Sequence, residues 1–93
     1  MNNASQELNL LIGQIVVVDV AASFIYIGVL KSIGTAFLVL GDADVHDLRD
    51  SDTTRELYLL NSVRDGVRRN RHEAHVRWEH VLSISRLADV TDH

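Results

Sequence analysis

The sequence predicts a mainly β domain: five strands, with one helix in front of them and a second between strands 3 and 4. Three observations carry this prediction. Residues 11–40 are rich in Val and Ile, and β-branched side chains fit the pleated surface of a strand better than a helix. Gly13, Gly28 and Gly34 punctuate the same stretch, which a continuous helix tolerates poorly. Ala74, Val76 and Trp78 alternate with His75, Arg77 and Glu79, the two-residue period of a strand.

The only charges in residues 11–40 are Asp19 and Lys31, so a membrane helix of about 20 apolar residues is the first alternative. Asp19 would sit near the middle of such a span, and the composition is not Leu-rich. The stretch therefore reads as strands over 12–21, 23–32 and 35–41, joined at Ala21-Ala22-Ser23 and Lys31-Ser32-Ile33-Gly34. Val16, Val18 and Val20 alternate with Ile15, Val17 and Asp19; Phe24, Tyr26, Gly28 and Leu30 alternate with Ile25, Ile27 and Val29. Both faces are largely apolar, unlike a half-solvated antiparallel sheet. One face fills a core, and the other needs a cover, which a short helix or a neighbouring subunit can supply. Gly28, in mid-strand, marks a bend.

Before the strands, Asn3 to Leu11 reads as a helix, with Ser5 as N-cap, Leu8, Leu11 and Ile12 on one face, and Gly13 at its end. After them, residues 42–52 (DADVHDLRDSD) form an acidic connector with five aspartates. Thr53-Thr54-Arg55-Glu56 fits a capping box for a helix over 53–65. That helix presents Leu57, Leu60 and Arg64 on one side and stops at Gly66. Asn70-Arg71 marks a turn before strands at 74–79 and 81–85.

The chain has 93 residues, which fits one domain over 1–93 with 44–73 as a helix-containing insertion. It has no cysteine, which excludes disulfides and thiolate metal sites and suits a reducing cytoplasm. No signal-peptide pattern is present, so the expected location is cytoplasmic, with no membrane partner. The net charge of −4 argues against a surface devoted to nucleic acid, while leaving room for a local basic patch.

In this order the residues resemble the Sm-like (LSm) family, as a divergent bacterial-type member with an expanded loop between strands 3 and 4. The first motif of that family is matched by Gly13, Val16, Val18 and Val20, then Tyr26, Gly28 and Leu30, then Leu38-Val39-Leu40-Gly41-Asp42-Ala43. The second is matched by Val76-Arg77-Trp78-Glu79-His80-Val81-Leu82-Ser83-Ile84. The resemblance covers residues 5–43 and 74–87. It implies a small, strongly bent, five-stranded antiparallel barrel behind an N-terminal helix. It also implies a cyclic homo-oligomer of five to seven subunits and RNA as the ligand to consider first. Two departures touch function. The Asp, aromatic and Asn of the RNA-binding turn are replaced by Ile33, Thr35 and Phe37, and the glycine after the motif arginine is Trp78.

Nothing in the sequence points to an enzyme or a cofactor: there is no P-loop, no GxGxxG and no nucleophile elbow. His72, His75 and His80 lie close in sequence, as do Asp42, Asp44, His46 and Asp47. These groups read as solvated or salt-paired faces rather than metal ligands. The basic run of Arg64, Arg68, Arg69, Arg71 and Arg77 follows the acidic one. With Trp78 as a stacking face, these arginines are the candidate RNA-binding residues. The competing reading pairs the acidic and basic segments with each other, in an oligomeric scaffold or protein-interaction module that binds no RNA.

Overall fold

The computed structural model describes residues 7–91. Five antiparallel strands form one bent sheet: β1 (Ile15–Val20), β2 (Phe24–Ile33), β3 (Phe37–Asp47), β4 (Arg71–Arg77) and β5 (Val81–Arg86). Their order is β4-β3-β2-β1-β5, so β4 and β5 are its two edges. A helix, Arg55–Asp65, is inserted between β3 and β4. Before β1 the chain is helical at residues 7 and 8 and tightens to a 3-10 turn at Asn9–Leu11. The expected N-cap, Ser5, lies outside the described residues. Gly13 ends this segment with φ +90° and donates to the Leu30 carbonyl at 2.8 Å.

Two bulges bend the sheet. Ile27 pairs with Asp44 and Val29 with Gly41, so β3 carries one extra residue opposite Gly28. Asp42 takes φ +46° there, and a bulge residue in this region increases the local twist. The strands press together at this point: a Cβ on Gly28 would lie 3.0 Å from the Gly41 carbonyl oxygen and 3.1 Å from Ala43. Leu30 pairs with Leu40 and Ser32 with Val39, which places a second extra residue, Lys31, on β2.

The bend separates two cores. The first contains Val16, Val18, Val20, Leu30, Leu38, Leu40, Ala43 and Val76, with Leu11 and Trp78 packed against it. The second takes the opposite faces of β1 and β2, at Val17, Ile25 and Ile27, and is closed by Leu59 and Leu87. The second apolar face is therefore covered within the chain, by the inserted helix and the 3-10 turn Leu87–Asp89.

Several expectations need correction. Only Asp50 and Asp52 lie in the connector, because β3 runs on through Asp42, Asp44 and Asp47. The insertion proper is therefore shorter than 44–73. The helix is capped by Thr54, whose side chain accepts from the Leu57 N–H at 3.2 Å, not by Thr53. Its buried face is Leu59 and Ser62, while Leu57 is exposed. The run Leu57-Tyr58-Leu59-Leu60 allows more than one inward face, and the Tyr58 contacts described below select this one. Gly66 does end the helix, at φ +92°, and donates to the Ser62 carbonyl at 3.0 Å. Finally, β4 starts at Arg71 and stops at Arg77, so Trp78 lies in a 3-10 turn (Trp78–His80) rather than on a strand.

Candidate functional site

The β2–β3 and β4–β5 turns meet at one end of the sheet. The Trp78 indole N–H donates to the Gly34 carbonyl at 2.8 Å and its backbone N–H to the Ala36 carbonyl at 3.0 Å. Within the first turn, the Gly34 N–H donates to the Phe37 carbonyl at 2.8 Å. Trp78 is half-buried against the first core. It acts as a clamp between the turns rather than as a free stacking face.

Phe37 and Arg77 are register partners, the first residue of β3 and the last of β4. Phe37 is 38% exposed. The Arg77 guanidinium carbon lies 5.8 Å from the centre of its ring, within cation–π range. His75 meets the same ring edge-on, with centroids 5.9 Å apart. Glu79 holds the Arg77 Nε at 2.6 Å. Beside this group is a cavity of about 450 Å³ lined by Val20, Phe24, Tyr26 and Val76 together with His75, Arg77 and His80. An exposed ring beside a guanidinium can stack a planar group and hold an anion.

The remaining candidate arginines lie elsewhere. β4 separates Arg71 from Arg77 by about 20 Å, at about 3.3 Å per strand residue. Arg69 pairs with Asp42 at 3.6 Å. Arg64 bonds Asn61 at 2.6 Å and lies 3.7 Å from Asp65. Arg71 donates to the Asn70 carbonyl at 2.9 Å. Arg68 lines a polar hollow with His46, Tyr58 and Asp65. The sequence-predicted set thus divides into Arg77 and Trp78 at one end and Arg64 to Arg71 at the other. Phe37 was missed as a site residue, because it registered only as the loss of a polar one. Its signal was an aromatic residue at the start of a strand whose partner strand ends in arginine.

The acidic residues anchor the insertion. Asp44 is buried (2% exposed) and accepts from the Tyr58 hydroxyl and, at 3.3 Å, from the Asn70 amide. Burial, then the bond to Asp44, pushes the Tyr58 pKa above its usual value. The Tyr58 ring stacks on His46 at 4.0 Å. Asp19 takes Arg55 from the helix and Ser83 from β5, the latter at 2.8 Å. Asp47 binds Arg49 and Ser23, and the Arg49 side chain holds its carboxyl well below the usual carboxylate range. Among the described residues no group of three or more His, Asp or Glu is arranged to hold a metal ion. No helix among them is long and apolar enough to cross a membrane.

No family model and no curated protein matches the sequence. Solved structures do match the fold. The P. aerophilum SmAP1 heptamer aligns with a TM-score of 0.61 and 26% identity, covering 92% of this chain and 95% of its own. A heptameric archaeal Sm protein aligns at 0.58 and 28% identity, over 87% and 96% of the two chains. The Pyrococcus abyssii Sm protein, solved in complex with a uridine heptamer, aligns at 0.60 and 20% identity, over 87% and 93%. The chain has the fold of an Sm protein. In this Sm fold Arg77 stands at the junction of the two turns, and Phe37 and Trp78 flank it.

Proposed function

We propose that this Sm-like domain assembles into a closed ring of five to seven copies and that the ring binds single-stranded RNA at its Phe37–Arg77 ends. The observation that carries the reading is the pair of edge strands, β4 and β5, which among the described residues have no further strand beside them at the two ends of one bent sheet. Exposed edge strands recruit further strands, and β4-to-β5 pairing repeated around a rotation axis closes without leaving an edge. Leu82 on β5 supports this, being 70% exposed on an edge strand. Two of the solved structures with this fold are heptamers, and a third holds a uridine heptamer. In this reading Phe37 supplies a stacking face, Arg77 a phosphate contact, and Trp78 fixes the turns that present them. Arg64, Arg68, Arg69 and Arg71 act as outer phosphate contacts.

The net charge of −4 and the carboxylate partner of Arg69 favour a second reading, a ring that serves as a scaffold without RNA. Size-exclusion chromatography with light scattering, repeated with uridine-rich and adenine-rich oligonucleotides, separates the two. The proposal expects a ring-sized particle that carries RNA, with affinity falling as salt rises because phosphate contacts release counterions. A ring that binds no oligonucleotide at low salt leaves the scaffold reading. A monomer overturns both.

A further inference from the structure

Several polar groups of the turn beside the Phe37 ring are already engaged. The Gly34 and Ala36 carbonyls accept the two Trp78 N–H groups, and the Phe37 carbonyl accepts the Gly34 N–H. Glu79 is engaged with Arg77. The turn's remaining side-chain group, the Thr35 hydroxyl, both donates and accepts, so it does not distinguish one base edge from another. What this end offers a base is therefore an aromatic face, a guanidinium and the His75 ring. Arg77 stands 5.8 Å from the Phe37 ring centre. A base held between them at van der Waals contact on both faces needs about 7 Å. Arg77 is exposed and need move outward by only about 1 Å to admit it.

We infer that this is a slot in which stacking on Phe37 dominates base selection, and that it favours purine-rich over uridine-rich single strands. The inference rests on the RNA reading above and adds the class of ligand. Where stacking rather than hydrogen bonding selects the base, preference follows stacking strength. A two-ring purine covers more of Phe37 and of the guanidinium than a one-ring uracil does. Phe37 is then the residue that sets the preference, and Arg77 closes the slot over the base.

The test is fluorescence anisotropy of the assembled protein with labelled seven-nucleotide adenine and uridine RNAs at low salt. The adenine strand is expected to bind about fivefold tighter or more, a fraction of the stacking energy of one base. Phe37→Leu keeps an apolar side chain at a partly exposed position and preserves the ring. It should weaken the adenine strand more than the uridine strand and bring the two affinities together. Phe37→Tyr should retain the difference. Uridine binding as tight as adenine, or a preference unchanged in Phe37→Leu, overturns the stacking slot while leaving RNA binding in place. Binding of neither strand overturns the slot and the RNA reading together.

Discussion

Replacing Tyr58 by Phe removes one oxygen atom and tests how the insertion is held to the sheet. The Tyr58 hydroxyl donates to Asp44, a carboxylate that is 2% exposed, and the Asn70 amide at 3.3 Å is its other partner. Phe keeps the ring stacked on His46 at 4.0 Å, so apolar packing is preserved. The change leaves one oxygen of a buried carboxylate without its donor, and a hydrogen bond to a charged group contributes about 1.5–3 kcal/mol. Urea unfolding followed by the fluorescence of Trp78, the sole tryptophan, measures the loss. It is run at fixed protein concentration because assembly adds its own stability. The same pair gives a signature in alkali. The folded pKa of Tyr58 is raised, chiefly by burial and then by the bond to Asp44. Its contribution is complete below the unfolded value of about 10 and is lost as pH rises past it, because the unfolded chain releases the proton first. Tyr58→Phe removes that part of the alkaline decline. A loss below about 0.5 kcal/mol, the range of an ordinary surface change, or an unaltered alkaline decline refutes the role given to this bond.

Three further outcomes follow from the same contacts. Thr54→Ala should cost about 0.5–2 kcal/mol through the lost helix cap, and Thr53→Ala much less, as thermal or urea unfolding can show. Gly28→Ala should destabilise by about 1–3 kcal/mol, because the new methyl meets the backbone at 3.0 Å and neither bulged strand can retreat without losing register. Asp47 has a lowered folded pKa, from Arg49 first. Its contribution is present above the unfolded value of about 3.9 and lost as pH falls through the folded one. Melting temperatures across that acid range should therefore fall less in Asp47→Asn than in the parent protein.

Much of the fold was legible because it depends on local pattern. The Val and Ile alternation set the first strands, Gly28 marked the bend, and Gly66 ended the inserted helix. The errors arise where distant partners decide. Asp42, Asp44 and Asp47 look like loop residues, since aspartate is depleted in strands. They sit in β3 because Tyr58, Asn70, Arg49 and Ser23 engage the last two, while Asp42 takes the bulge conformation. No spacing rule shows that residues 14 and 26 positions away converge on Asp44. The inward face of the helix was equally hidden, because Leu57, Leu59 and Leu60 are all apolar and the choice of Leu59 depends on the second core. At the site, Arg77 was readable from its motif, whereas the pairing of Phe37 with Arg77 needed the β3–β4 register. The arginines from 64 to 71 looked continuous with Arg77 in sequence, and the length of β4 separates them.

The central claim is that the two edge strands, β4 and β5, close a ring, and native mass spectrometry of the purified protein tests it most directly. The parent protein should appear as one species containing five to seven chains. Leu82→Glu, which places a charge on the exposed edge residue of β5, should shift it toward smaller species while the domain stays folded. A monomer at micromolar concentration, or a ring unaffected by any charge placed along β4 and β5, would contradict it.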